Sequence, residues 1–256
     1  GGKDADVITG GAGQDTIKGG SGADTLEGNS GDDNIIGGGG NDAITSTDGN
    51  NTLSGGGGDD TITGGSGDDQ ITGGSGNDVI SAGVGGSNFI DGGAGDDALT
   101  GGDTALQHLW GGSGNDTIDG GLWADIIRGD SGSDVINGNG GNDTITGGSG
   151  RDILSGGEGD DLFRFTFSDS GKGNFADVIT DFNSFGEADQ IELEMRISQG
   201  FIGAETFGGV GGRELRVTDD GVDSTVLIDT DGDGTSDMAI IVEGYIGLVE
   251  SDFVLF

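Results

Sequence analysis

Cysteine and proline are both absent from the 256 residues. Without cysteine there is no disulfide scaffold and no thiolate metal site. The single histidine cannot build a multi-histidine zinc site. Lysine and arginine total 9 against 47 acidic residues, for a formal charge of −38. That sign opposes nucleic acid, which needs cations to neutralise its phosphates. No run of about 18 apolar residues occurs, so no segment reads as a membrane-spanning helix. Aromatic residues make up only 5% of the chain, and 63 residues are glycine. Such a composition means disorder unless the glycines keep a period.

They do, and the period is nine. Gly10–Lys18 reads GGAGQDTIK, Gly19–Glu27 reads GGSGADTLE, and Gly64–Thr72 reads GGSGDDQIT. The pattern G-G-x-G-x-D-x-U-x, with U a large aliphatic residue, runs from Gly1 to Arg164 as 18 turns. Two of them, Ala82–Asp91 and Gly101–Trp110, carry a tenth residue. Only position 8 is reliably apolar, as in Ile17, Leu26, Ile35, Ile71, Ile118 and Phe163. One inward residue flanked by two outward ones predicts a three-residue strand. The six residues before it must turn the chain, and glycine permits positive φ there. Two loops and two strands make one coil, so alternate turns stack on the same side. Neighbouring coils sit about 4.8 Å apart, so nine of them span roughly 43 Å. The expected core is a single file of Ile and Leu between two narrow parallel sheets, too thin to offset chain entropy alone.

This nonapeptide resembles that of the RTX family, the calcium-binding β-roll of bacterial secreted proteins. The resemblance implies an all-β fold: a right-handed parallel β-roll over residues 1–164, capped over 165–256 by a small antiparallel β domain. It also implies a cofactor, calcium, in roughly ten or more copies. Position 6 is Asp in 15 turns: Asp6, Asp15, Asp24, Asp33, Asp42, Asp60, Asp69, Asp78, Asp97, Asp116, Asp125, Asp134, Asp143, Asp152 and Asp161. Stacked, these carboxylates form rows that repel unless hard cations lie between them. By resemblance, each ion sits between the loops of one turn and the next on the same side, held by both position-6 carboxylates and by main-chain carbonyls. A merely solvated acidic face would not demand Asp at a fixed ninth position behind glycine.

Position 6 is instead Asn51, Asn88 and Gln107 in turns 6, 10 and 12, all even-numbered. The expected result is a nearly continuous calcium row on the odd side and an interrupted one on the even side. Asp4 and Trp123 stand where glycine is expected, so sites involving turns 1 and 14 are less regular. Turns 10, 12 and 14 also hold Phe89, Leu106, His108, Trp110, Leu122 and Trp123. Two readings stand: a patch around Phe89, Trp110 and Trp123 that contacts a glycan or another domain, or apolar filling of loops that lack an ion. His108 has no nucleophile or triad partner recognisable by spacing. Threonine pairs such as Thr61 and Thr63 reflect β-propensity, since Val, Gln, Lys and Glu interrupt any ladder.

After Arg164 the period stops. Apolar-rich runs at Asp177–Phe182, 190–195, 214–218, Ser224–Asp229 and Met238–Val242 predict strands. Asp177-Val-Ile-Thr-Asp-Phe182, Asp189-Gln-Ile-Glu-Leu193 and Thr225-Val-Leu-Ile-Asp229, with Gly244 and Asp252-Phe253, resemble the C-terminal region of serralysin-type secreted metalloproteases. Asp229, Asp231, Asp233 and Asp237 resemble the start of an EF-hand loop. Position 12 is Ile240, so a hairpin turn competes with a weak calcium site. The terminal Asp252-Phe-Val-Leu-Phe256 resembles the uncleaved signal read by the type I secretion machinery, and also reads as a last strand. The chain lacks H-E-x-x-H, a second histidine, and a G-x-S-x-G elbow backed by histidine, so no enzyme is expected within it. The expected role is a calcium-binding module, secreted or cell-surface associated, that folds on extracellular calcium and supports export of a larger protein. A structural or adhesive, self-assembling surface module is the alternative.

Overall fold

The structure is a computed structural model; it describes residues 1–166, 176–184, 188–194, 214–229, 235–245 and 247–255. These contain strands, one 3-10 turn at Glu250–Asp252 and no α-helix. Eighteen short strands, from β1 (Val7–Ala12) and β2 (Thr16–Ser21) to β18 (Leu162–Phe165), alternate between two parallel sheets. Odd strands stack in one sheet and even strands in the other, as a two-turn coil requires. The register never slips: Ile8 pairs with Leu26, Ile17 with Ile35, and Ile90 with both Ile71 and Leu109.

Most strands run five or six residues rather than three. The reason lies in the inward alternation. In β4 (Asn34–Gly39), Ile35 and Gly37 are both buried and the residues between and before them are not. Period-two alternation therefore continues from position 8 to position 1 of the next turn, and backwards to position 6. Each turn faces inward with Asp, Ile and Gly. Leu26, Ile35, Leu53, Ile71, Ile90 and Leu109 are at most 1% exposed, and they form the single-file core.

Position 2 bends the strand into the loop with φ near +115° in Gly20 and Gly56. Four turns place a larger residue there, and the three that keep the bend have Asn or Asp: Asn29, Asp130 and Asn139 have φ of 74°, 70° and 73°. Those two residue types tolerate the left-handed region best after glycine. Where position 2 is Thr47, the bend is lost and strand β5 (Ala43–Thr45) stops after three residues.

The parallel ladders do not end with the nonapeptides. Strand β19 (Asp177–Ile179) stacks parallel on β17 (Ile153–Ser155), and β20 (Gln190–Leu193) stacks parallel on β18. Two runs from the non-repetitive region thus extend the roll rather than join the antiparallel part. The antiparallel part is a three-strand meander of β21 (Glu214–Asp219), β22 (Ser224–Asp229) and β23 (Met238–Val242). It joins the odd sheet because β23 lies parallel to β19. The even sheet ends in β24 (Phe253–Leu255), parallel to β20. Both ladders are thereby continued at this end instead of presenting a repeat edge. Here the file of Ile and Leu widens into aromatic packing: Phe182 lies 6.3 Å from Phe163 and 5.4 Å from Tyr245 between ring centres. Within the EF-hand-like loop Asp229–Asp237, residues 230–234, with Asp231 and Asp233, lie outside the described residues; Asp229 ends strand β22.

Candidate metal centre

The position-6 carboxylates form two buried rows, one along each side of the roll. On the odd side the row is Asp6, Asp24, Asp42, Asp60, Asp78, Asp97, Asp116, Asp134 and Asp152. The main-chain N–H of each donates to Oδ1 of the next at 2.7–2.8 Å. On the even side the same link joins Asp15 to Asp33 at 3.0 Å, Asp125 to Asp143 at 2.7 Å and Asp143 to Asp161 at 2.8 Å. Asn51, Asn88 and Gln107 occupy the even row between Asp33 and Asp125, with Asp69 among them. From Asp24 onward every one of these side chains is at most 3% exposed. The rows are interior features rather than loop rims.

Apart from Asp6 and Asp15, which begin the rows, each carboxylate has Oδ1 spoken for in this way. In twelve carboxylates Oδ2 is not. Oδ2 of Asp15, Asp24, Asp42, Asp60, Asp69, Asp78, Asp97, Asp116, Asp125, Asp134, Asp143 and Asp161 is buried and receives no hydrogen bond. An ionised oxygen left so is costly, because burial removes water without supplying a partner. The titration of these groups reflects that cost. Asp97, Asp125, Asp134, Asp143 and Asp161 are pushed up to about 7, and Asp60 to about 6. Burial is the main cause. The main-chain N–H bond opposes it, and neighbouring carboxylates raise all of these except Asp125 further. Asp42, Asp69, Asp78 and Asp116 move in the same direction for the same first reason.

Glycine at position 1 is required wherever position 6 is Asp; turns 6 and 10, with Asn51 and Asn88 at position 6, carry Ser46 and Ala82 there. A Cβ on Gly19 would overlap Oδ2 of Asp24 and approach the Gly37 carbonyl oxygen to 2.6 Å. The space beside Oδ2 of Asp24, and likewise of Asp42, Asp60, Asp78 and Asp97, is therefore bounded by a main-chain oxygen from the next coil. Gly19→Ala should destabilise the roll by about 1–3 kcal/mol, the usual cost of overpacking. It should also raise the calcium concentration at half folding, as read by circular dichroism.

These residues fit calcium. The donors are hard anionic and carbonyl oxygens, the class that Ca²⁺ binds with six to eight ligands. Among the described residues no group of three or more His, Cys, Asp or Glu side chains converges. A cation held here would draw part of its shell from glycine carbonyls, with carboxylates from successive coils of one row. When bound, the ion supplies the positive charge that the free Oδ2 atoms lack.

Two row members escape the nonapeptide period. Asp152 N–H donates to Oδ1 of Asp177 and Asp161 N–H to Oδ1 of Asp189, both at 2.9 Å. Asp177-Val-Ile179 and Asp189-Gln-Ile191 repeat the D-x-U of positions 6 to 8. Their separations of 25 and 28 residues, in place of 18, hide them from a search at fixed spacing.

Phe89, His108 and Trp110 lie on strands of the even sheet, and Leu122 and Trp123 on the loop before strand β14 (Ile126–Ser131). Trp110 packs edge-on against Phe89, with ring centres 4.5 Å apart, and lies 5.8 Å from the Arg128 guanidinium. Trp110 and His108 line a groove of about 300 Å³ on the outer face of the even sheet, with Ile126, Arg128, Thr144 and Arg164. Leu122 instead lines a cavity of about 230 Å³ with Thr100, Asp119 and Asn139. Trp123 lines neither of these and is 56% exposed.

A family model, the RTX calcium-binding nonapeptide repeat, matches residues 1–26, 18–53, 45–80, 81–105, 108–127 and 128–163. Among solved structures the chain is similar to the AlgE6R3 subunit of the Azotobacter vinelandii mannuronan C5-epimerase. The identity is 32% over 57% of this chain and 78% of that one, with a TM-score of 0.40. It is also similar to the AlgE6R2 subunit of that organism's enzyme, at 28% identity over 59% and 88%, with a TM-score of 0.33. No curated protein matches the chain. With the repeat model matched over more than half of its length, and the repeats folded as a β-roll, this chain belongs to the RTX calcium-binding nonapeptide repeat family.

Proposed function

We propose that this calcium-binding module folds when it meets extracellular calcium, and so serves the type I secretion and folding of a larger exported protein. The observation that carries the reading is the set of buried Oδ2 atoms with no hydrogen-bond donor. A chain built around uncompensated buried anions stays open where calcium is scarce and closes where it is plentiful. An open chain is what a secretion channel can pass. On this reading the ligands are the fifteen position-6 aspartates, held in 1–164, while 165–256 caps the roll and ends in the export signal. The catalysis belongs elsewhere in the exported protein. His108, the single histidine, lies in the even-sheet groove, on a different surface from the buried carboxylate rows. Exposed Val84, Leu122 and Trp123 favour, in addition, a contact between the even-side loops and another domain or a glycan.

The test is a calcium titration of the purified chain, with bound ions counted by mass spectrometry under native conditions. On the order of ten ions, bound as β-sheet appears, is expected. Binding of one or two ions without a change in fold would reject the reading. For export, deleting Asp252–Phe256 should abolish secretion through a type I channel while leaving calcium binding intact.

A further inference from the structure

The three amides of the even row do more than omit a carboxylate. Asn51 Nδ2 donates to the Gly49 carbonyl at 2.9 Å, to the Gly64 carbonyl at 3.3 Å and to Oδ1 of Asp69 at 2.8 Å. Those acceptors are a carbonyl of its own loop, and a carbonyl and a carboxylate of the next loop on the same side. They are the classes of oxygen that a cation between two such loops would take. Asn88 Nδ2 likewise donates to the Gly85 carbonyl at 3.0 Å, the Gly86 carbonyl at 3.4 Å and Oε1 of Gln107 at 2.9 Å. Gln107 Nε2 then donates to the carbonyls of Gly86 and Ala105 at 3.1 and 2.6 Å. A third device sits one step earlier. Ser46 stands at position 1 of turn 6, where every other turn except turn 10, with Ala82, has glycine; its hydroxyl lies within hydrogen-bond reach of Oδ2 of Asp33 at 3.4 Å and of the Asn29 carbonyl at 3.3 Å. Asp33 accordingly is not among the carboxylates with an unpartnered buried Oδ2.

We infer that in three even-side gaps these donors replace calcium: between turns 4 and 6, between turns 6 and 8, and between turns 10 and 12. The even row is then cross-linked through its middle by N–H and O–H groups, and ions bind toward its two ends. The odd row has no such bolts, so the middle of the roll depends on calcium along one side only. An N–H donor and a cation satisfy the same oxygens, but the amide is part of the chain and stays when calcium is withdrawn. Charge balance agrees. Replacing Asp by Asn or Gln removes one negative charge per turn, so the bolted gaps need no cation to limit repulsion. The inference rests on the calcium reading above.

The experiment compares ion counts by native mass spectrometry and β content by circular dichroism, with and without chelator. S46G/N51D removes the turn-6 donors and restores the repeat's own residues. It is expected to bind about two more ions than the wild type and to show less β structure in EDTA. D60N copies the Asn51 arrangement into the odd row. It is expected to bind fewer ions than the wild type and to retain more β structure in EDTA. A folded S46G/N51D with the wild-type ion count overturns the inference. So does D60N with the wild-type ion count, which decides the matter if S46G/N51D fails to fold in calcium. A wild type that binds no calcium rejects the calcium reading itself, and the inference with it.

Discussion

In EDTA at neutral pH the chain should lose most of its β-sheet signal and recover it cooperatively on addition of millimolar calcium. Three features set the size of this effect. The hydrophobic core is one side chain thick, so apolar burial alone falls short of chain entropy. The formal charge of −38 favours an expanded state. Folding also removes a row of carboxylates from water and leaves Oδ2 of each of twelve without a donor. Binding to the folded state alone stabilises it by RT ln(1 + [L]/Kd), or about 1.4 kcal/mol per site at a tenfold excess. Ten sites give on the order of 15 kcal/mol, comparable to the whole stability of an ordinary domain. Because each coil contacts mainly its neighbours, folding should propagate from coil to coil, and the end carrying the aromatic packing of Phe163, Phe182 and Tyr245 is the natural start. A circular dichroism spectrum unchanged between EDTA and 5 mM calcium would reject this account of the buried rows.

The roll could be read from the sequence because its information is periodic. A residue type fixed at every ninth position reports a repeated environment, and both the strand alternation and the rows of Asp follow from it. What the period did not convey was depth. Position 6 reads as a loop residue because its neighbours are glycines, yet Asp78 and Asp134 are buried as deeply as Ile62. Alternation continues from Ile35 through the strand to Gly37, and a glycine carries no hydrophobic signal to reveal that it faces inward. Asp177 and Asp189 escaped for a different reason. Their local D-x-U pattern is intact, but each chain segment leading to them is longer than a repeat, so sequence distance no longer encodes stacking. The same applies to β23, which reaches its parallel partner β19 only after the antiparallel meander. Sequence order groups the aromatic residues by successive coils. The fold places them on different elements: Trp110 at position 9 of a strand, Trp123 on a loop.

Without calcium, acid should do part of the calcium's work. Asp60 titrates at about 6, and Asp97, Asp125, Asp134, Asp143 and Asp161 at about 7, all above the ordinary 3.8 of the unfolded chain. A carboxyl group raised on folding binds its proton more tightly in the folded state. Its contribution to stability is present in full below about 4 and is lost as pH rises through 7. Six such groups act together, so the calcium-free roll should gain order between pH 7.5 and pH 5, a range that stays above the isoelectric point of about 4.1. The β-sheet signal in EDTA is therefore expected to be larger at pH 5 than at pH 7.5. With calcium present the direction reverses, because proton and cation compete for the same Oδ2 atoms. The calcium concentration at half folding should rise as pH falls below 7. Asn51, Asn88 and Gln107 carry no titrating carboxyl, so the pH response belongs mainly to the odd row and to the even row from Asp125 onward. Substituting Asp97 and Asp134 by Asn should flatten the EDTA response, whereas the same substitution at exposed Asp68 should leave it unchanged. A β-sheet signal in EDTA that is equal or smaller at pH 5 would show that the buried carboxylates are not what keeps the calcium-free chain unfolded.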